Sequence, residues 1–250
     1  KNKNDWYPKA LPRTSAQDDR YTNRDNDLRG PWKSSDLSVK SYNENYDYSI
    51  ETPSGRVVTP PQGRCWVVSK ERFEELIKDN RIWFGEKGSN VPSIKRFLSE
   101  VKDGIVPMTI MKYKDVGHNQ TGRQELKKLF DDGGFFDSPK PVSLMRYLIF
   151  VANAQPEDYV LDFFAGSSTT AHAVMKLNAE DGGNRKFIMV QLPEAVDEKH
   201  EAYKAGYKTI AEISKERIRR AGAQILEGDC HKNWNKDIGF RVLKVDTSNM

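Results

Sequence analysis

Apolar and polar positions are patterned most sharply in the second half of the chain. Tyr159, Val160, Leu161, Phe163 and Phe164 crowd around Asp162 and predict a short buried strand. Ala165-Gly166-Ser167-Ser168 follows, small residues that let the backbone turn sharply and come close to a ligand. Thr169-Thr-Ala-His-Ala-Val-Met-Lys-Leu177 then opens a helix, with Ser167 or Ser168 placed to cap its free N–H groups. Upstream, Pro139 and Pro141 fix the entry to a helix over residues 142–151, whose stripe is Leu144, Leu148 and Val151. Downstream, residues 185–192 read as a second, parallel strand. Residues 209–226 form a long helix with its core face at Ile210, Ile213, Ile218, Ala221 and Ile225, so Arg217, Arg219 and Arg220 are expected in solvent. Residues 237–246 read as a third strand.

The first half is less regular. Residues 1–58 mix Asn, Asp, Ser and Arg with isolated aromatics, including Arg29 and Trp32. A compact α+β piece follows. It has a strand at 64–68, then a helix capped by Ser69 and running to about Lys78 on Phe73, Leu76 and Ile77, then a strand at 81–84. A second helix is predicted to begin at Pro92 or Ser93 and to carry Ile94, Phe97, Leu98 and Val101. Glycines and amides make 115–122 a loop, with His118 within it. A short helix at 124–130 ends at Gly133-Gly134, where the boundary is placed between a region 1–133 and a region 134–250.

Composition narrows this picture. The 250 residues are 37% hydrophobic and 30% charged, with a net charge of +4 that is concentrated between residues 61 and 150. A local basic excess is where phosphate contacts would be sought. No run reaches the roughly 18 apolar residues of a membrane span, and the N-terminus, Lys-Asn-Lys-Asn-Asp, has no leader pattern. Two cysteines, Cys65 and Cys230, are too few for a disulfide framework and fit a reducing cytoplasm. Cysteine and histidine spacings give no metal site. The chain does not start with methionine and reads as a piece of something longer.

The strand–turn–helix at 158–177 is the arrangement that holds nucleotide-type ligands at the carboxyl end of a parallel sheet. Its only glycine is Gly166, so the dinucleotide fingerprint is missing, and no lysine follows to make a phosphate loop. A ligand without phosphates fits better. Phe164-Ala-Gly-Ser-Ser-Thr-Thr170 resembles the F-x-G-x-G-T-T S-adenosylmethionine motif of amino-methylating DNA methyltransferases, departing at Ser168, where the pattern has its second glycine. The continuation Ala171-His-Ala-Val174, the Gly30-Pro-Trp32 segment and residues 81–106 resemble, more narrowly, the modification subunits of type III restriction–modification systems. Phe135-Phe-Asp-Ser-Pro-Lys-Pro141 resembles the family's other cofactor motif, F-x-x-P-K-P-x-x-L, about twenty residues before Asp162 as that family has it.

The resemblance implies an α/β fold: a Rossmann-like methyltransferase domain, present as a partial parallel sheet in 134–250, preceded by a DNA-binding target-recognition region in 1–133. It implies S-adenosyl-L-methionine as cofactor, held by Ser138, Lys140, Pro141, Asp162, Phe164, Ala165, Gly166, Ser167, Ser168, Thr169 and Thr170. Either Gln191 or Glu194 would reach the ribose. Arg29, Trp32, Arg72, Lys95 and Arg96 would meet DNA. The implied reaction is direct transfer of a methyl group to N6 of an adenine flipped out of duplex DNA. The family's catalytic tetrapeptide, Asp, Asn or Ser before Pro-Pro and then Tyr, Phe or Trp, is not matched by Thr59-Pro-Pro-Gln62, so no catalytic residue is assigned here. Implied partners are duplex DNA, the restriction (helicase and nuclease) subunit and a second modification subunit, in the bacterial cytoplasm. Without its other half the Asp162 strand is expected to present an exposed apolar edge, prone to dimer formation. Three alternatives stay open: a cytosine-N4 methyltransferase, a methyltransferase acting on RNA or a small molecule, and a DNA-recognition module whose ligand site is degenerate.

Overall fold

In the computed structural model the described residues are 6–101 and 104–245. They form two compact units, one over residues 12–105 and one over 1–11 with 106–250.

The 12–105 unit begins with a single helical turn, α1 (Ser15–Asp18), and among its described residues are seven strands and one longer helix. Strands β1 (Trp32–Asp36), β2 (Ser38–Val39), β3 (Ile50–Glu51), β4 (Val57–Val58) and β5 (Cys65–Trp66) precede α2 (Lys70–Lys78), and β6 (Ile82–Trp83) and β7 (Ser93–Phe97) follow it. Helix α2 is nucleated as its sequence predicts: the Ser69 hydroxyl accepts the Arg72 N–H at 3.3 Å, and Phe73 and Leu76 are buried. Ile77 instead faces solvent. These side chains join Leu37, Ile50, Val58, Trp66, Ile82 and Ile94 in one core.

The segment expected to be a helix from Ser93 is strand β7. It lies between β1 and β6, antiparallel to both, with Trp32 opposite Phe97 and Ile82 opposite Ile94. A central strand is covered on both faces, so Ile94, Lys95 and Phe97 are all buried and the alternation that announces a strand is lost. The spacing of Ile94, Phe97, Leu98 and Val101 then imitates a helical face.

The other unit contains α3 (Tyr113–Val116), α4 (Asn119–Leu129), α5 (Val142–Val151), β8 (Tyr159–Asp162), α6 (Thr169–Asp181), β9 (Lys186–Met189), α7 (Glu201–Lys204) and α8 (Ile210–Leu226). Helix α4 starts inside the stretch expected to be a loop, because the His118 ring nitrogen accepts the Thr121 N–H and caps it. Leu126, Leu129 and Phe130 from this region pack with Ala171, Met175, Ile213, Ile218 and Ala221. That burial corrects the expected boundary: the units divide after Ile105 rather than after Gly133.

Strands β8 and β9 pair in parallel through the α6 crossover, Tyr159 opposite Lys186 and Asp162 opposite Met189. Helix α6 is buried along most of its length; Ala171, Ala173 and Ala179 let its neighbours approach closely. Helix α8 opens with a capping box in which Thr209 and Glu212 exchange side-chain-to-backbone bonds. The third strand expected at 237–246 does not form within the described residues. Lys236 turns left-handed at φ 60°, Asp237 bonds the Gly239 N–H, and Ile238 and Phe240 pack on the core beside α8 instead of joining a ladder. Residue 246 lies outside the described residues. Among the described residues β8 is paired on one side only, and Tyr159, Leu161 and Phe163 are exposed, as the edge argument expects. No described helix is long and apolar enough to cross a membrane.

Candidate functional site

The link from β8 to α6 is tied across its base by Asp162. One carboxylate oxygen accepts the Phe164 N–H at 3.1 Å and the other accepts the Thr170 hydroxyl at 2.6 Å. The Gly166 N–H donates to the Gln191 side-chain carbonyl at 2.7 Å, which fastens the crest of the turn to the end of β9. Gly166 is left-handed at φ 50°, and a Cβ there would meet the Phe136 ring at 3.2 Å. Phe164 is 89% exposed beside this crest.

Ser168 is also left-handed, at φ 59° and ψ 41°, a conformation that glycine adopts without strain and other residues rarely do. It makes no capping bond to α6, and neither does Ser167, contrary to expectation. The hydroxyls point the other way, into α8. Ser168 bonds the Ser214 hydroxyl, while one Arg217 nitrogen donates to Ser167 at 2.8 Å and to Thr169 at 2.7 Å. Arg217 was expected in solvent and is fully buried. Its Nε and Nη2 have no hydrogen-bond partner among the described residues. Burial pushes its pKa down to about 10, and the nearby Glu125 charge opposes that. His172, one turn into α6, is buried with its Nδ1 unpartnered among the described residues; burial, and then the Arg217 and Lys176 charges, push it down to about 3.

The proline segment is built onto α4. Glu125 accepts the Val142 N–H at 2.9 Å, Arg123 donates to the Asp137 carbonyl, and any side chain at Gly122 would strike the Pro139 carbonyl. Pro139 and Pro141 are buried, whereas the side chains of Ser138 and Lys140 are exposed and make no bond among the described residues. Gln191 has its carbonyl on Gly166 and its amide on the Leu192 carbonyl. The Glu194 side chain is exposed without such a tie. A cavity of about 840 Å³ opens beside the free edge of β8, lined by Met145, Leu148, Tyr159 and Leu161 and ending at Asp162 and Thr170.

The structure thus gathers Asp162 to Thr170, Gln191 and Phe136 into one bonded turn. Phe136, Gly122, Ser214 and Arg217 were missed. A signal existed for Arg217, since it falls on the apolar face of its helix three to four residues from Ile213, Ser214 and Ala221. A tight fit of backbone to the turn is what a ligand held by close approach requires, and the exposed Phe164 face and free Lys140 and Glu194 side chains fit a ligand with an aromatic base, a carboxylate and hydroxyls. Among the described residues no cluster of His, Cys, Asp and Glu is placed to hold a metal ion.

The residues expected to touch DNA separate into two groups. Trp32 is fully buried, its Nε1 donating to Asp25 at 2.8 Å, and Lys95 is fully buried against Asp25 and Asp27. Both expectations are corrected: these side chains hold the β1–β7 pair together and do not reach the surface. Arg29 is paired with Asp27 and Asp79 and lies over Phe97. Arg72 pairs with Glu75 on exposed α2. Arg96 is exposed and makes no ion pair among the described residues; it lies directly across the ladder from Lys33, which lies over the Tyr21 ring. Lys33 was not singled out, because only the register brings it opposite Arg96.

A family model described as DNA methylase, for the N6 and N4 enzymes, matches residues 3–221. The chain is 38% identical over 220 residues to the type III restriction-modification enzyme StyLTI Mod subunit of Salmonella typhimurium, covering 87% of this chain and 32% of that protein. It is 31% identical over 230 residues to the EcoP15I Mod subunit of Escherichia coli, covering 91% and 32%. Against the type II methyltransferase M.KpnI of Klebsiella pneumoniae it is 33% identical over 159 residues, 62% of this chain and 35% of that one. The chain therefore spans about a third of the length of these relatives.

Proposed function

This chain belongs to the N6/N4 DNA methylase family, and from that premise we propose that it is the cofactor-binding and target-recognition part of a type III modification methyltransferase that methylates adenine N6 in duplex DNA. The observation that carries this reading is the bonded turn from Asp162 to Thr170, with Gly166 held left-handed against Phe136. S-adenosyl-L-methionine, when bound, supplies a methyl group on a sulfonium, open to displacement by an amine. The chain's own residues bind and orient. The Gly166 backbone admits close approach, Phe164 offers a ring face, Lys140 a cation for a carboxylate, and Glu194 a carboxylate for ribose hydroxyls. Of the two ribose candidates we favour Glu194, because both ends of the Gln191 amide are engaged.

A larger Rossmann-like parallel sheet would be completed along the free edge of β8 by parts of the enzyme that also bring the catalytic tetrapeptide. DNA, a restriction subunit and a second modification subunit are the partners of this reading, in the bacterial cytoplasm. Residues 12–105 would carry target recognition, with Arg96 and Lys33 on phosphates and Arg72 as a weaker contact. The reading of a degenerate, ligand-free site rested on Ser168 and Gln191. It loses ground because Ser168 takes the glycine-type conformation and Gln191 braces the turn. Calorimetric titration of the chain with S-adenosylmethionine tests the proposal, with Gly166→Val as control. Saturable binding weakened at least about tenfold in the variant is expected. No binding by the folded wild-type chain, or equal binding by the variant, would refute it.

A further inference from the structure

Three successive hydroxyls of the turn, on Ser167, Ser168 and Thr169, are all taken by two residues of one α8 face, Ser214 and Arg217. Residues three apart on a helix lie side by side, so the two form a single surface against the turn. Ser168, at the N-cap of α6, makes no capping bond, although capping is what serine at a helix start ordinarily does. Arg217 meanwhile stands fully buried, bonded to the Ser167 and Thr169 hydroxyls and in no ion pair among the described residues. Two of its nitrogens lack partners among the described residues. A buried, under-satisfied guanidinium is a poor stabiliser compared with an apolar side chain of similar volume. Its contacts point to local shape instead. They flank Ser168, the one non-glycine residue of the turn in the left-handed region, a conformation that persists only where the surroundings over-determine it.

We propose that Arg217 and Ser214 form a clamp by which α8 holds the turn in its ligand-binding shape, so that serine can stand at 168 where the S-adenosylmethionine motif has glycine. Both are positioning residues: they act on the ligand only through the backbone of residues 165–170. The proposal rests on the cofactor reading above for its binding consequence, but the clamp itself is a property of the ligand-free chain. It makes a prediction that a merely structural role for Arg217 would not. If the clamp serves to hold a left-handed serine, replacing that serine by glycine removes the need for it, so the two substitutions must couple.

The experiment compares wild type, Arg217→Met, Ser214→Ala, Ser168→Gly and the double variant Ser168→Gly/Arg217→Met in the full chain. Backbone amide exchange is read without ligand, and S-adenosylmethionine affinity is read by calorimetry. Arg217→Met is expected to exchange about tenfold faster at residues 165–170, with α5 and β9 unchanged, and to bind about tenfold more weakly. Ser214→Ala shifts both readouts in the same direction by a smaller factor. Ser168→Gly supplies its own baseline for both readouts, and against that baseline adding Arg217→Met changes each by less than about threefold, so most of the loss is recovered. Faster exchange spread over the whole unit, no change in Arg217→Met, or an undiminished loss in the double variant would overturn the clamp. Should Arg217→Met fail to fold, Ser214→Ala and its double with Ser168→Gly carry the same comparison. If wild type binds no S-adenosylmethionine, the functional reading falls, and local exchange suppressed by Ser168→Gly still decides the clamp.

Discussion

Lys95→Ala is the substitution that most directly separates a structural cation from a DNA-contacting one. The Lys95 side chain is fully buried, with its ammonium on Asp25, 3.4 Å from Asp27 and over the Trp32 ring at 5.4 Å. Removing one partner of a buried ion pair typically costs about 3–5 kcal/mol, because the remaining charge is stranded. Here neither aspartate is left alone. Asp27 keeps Arg29 at 2.9 Å and Asn80 at 3.1 Å, and Asp25 keeps the Trp32 N–H at 2.8 Å. The expected cost therefore falls at the lower end, about 3 kcal/mol at pH 7. The pH dependence supplies a second check. Arg29 first, and Lys95 after it, hold the Asp27 carboxyl well below the usual range; hydrogen bonds from Lys95 and Trp32 lower Asp25 against the opposing effect of burial. Depressed carboxyls stabilise the fold above their ordinary value near 3.8, and that contribution is lost as pH falls through their folded values. The gap between wild type and Lys95→Ala should narrow below about pH 4. Urea unfolding followed by tryptophan fluorescence measures both. A variant within about 0.5 kcal/mol of wild type at pH 7, or a gap unchanged at pH 3, would refute the buried-pair account.

Two further outcomes are expected. Lys33→Ala and Arg96→Ala should each lower the salt slope of DNA binding by about one while leaving the fold as stable or slightly more so, because like charges directly opposed on a ladder repel; filter binding across salt concentrations with unchanged slopes would exclude that surface. His172 is held neutral by burial at about 3 when folded, against about 6.5 in an unfolded chain. Between those values the unfolded state takes up the proton, so stability falls with acidity by about 1.4 kcal/mol per pH unit. From pH 7 to pH 5 wild type should therefore lose about 2 kcal/mol more than His172→Leu. Equal losses in urea titrations at the two pH values would show that His172 is protonated when folded.

Local signals in this chain were legible wherever one segment carried its own explanation. The Asp162 strand, its parallel partner and the cap at Ser69 each follow from a few neighbouring residues, and the structure has all three. What was not legible depends on partners far along the chain. Lys95 finds Asp25 seventy residues away, and Arg217 finds Ser167 and Thr169 fifty and forty-eight away, so both read as ordinary surface cations. The same distance hides β7, whose two covered faces erase its alternation. The two cations differ in one instructive respect. For Lys95 no periodic signal marked burial, since the surrounding segment itself was assigned to the wrong element. For Arg217 the helix was right, and its position between Ile213 and Ala221 placed it on the core face; residue type outvoted position and was mistaken. A long cation on the apolar stripe of a helix with clear core-facing periodicity is therefore best read as aimed inward at something. Here it is aimed at the turn where the motif pattern also breaks, at Ser168. The departure from the glycine pattern and the misplaced arginine are two ends of one arrangement, and each accounts for the other.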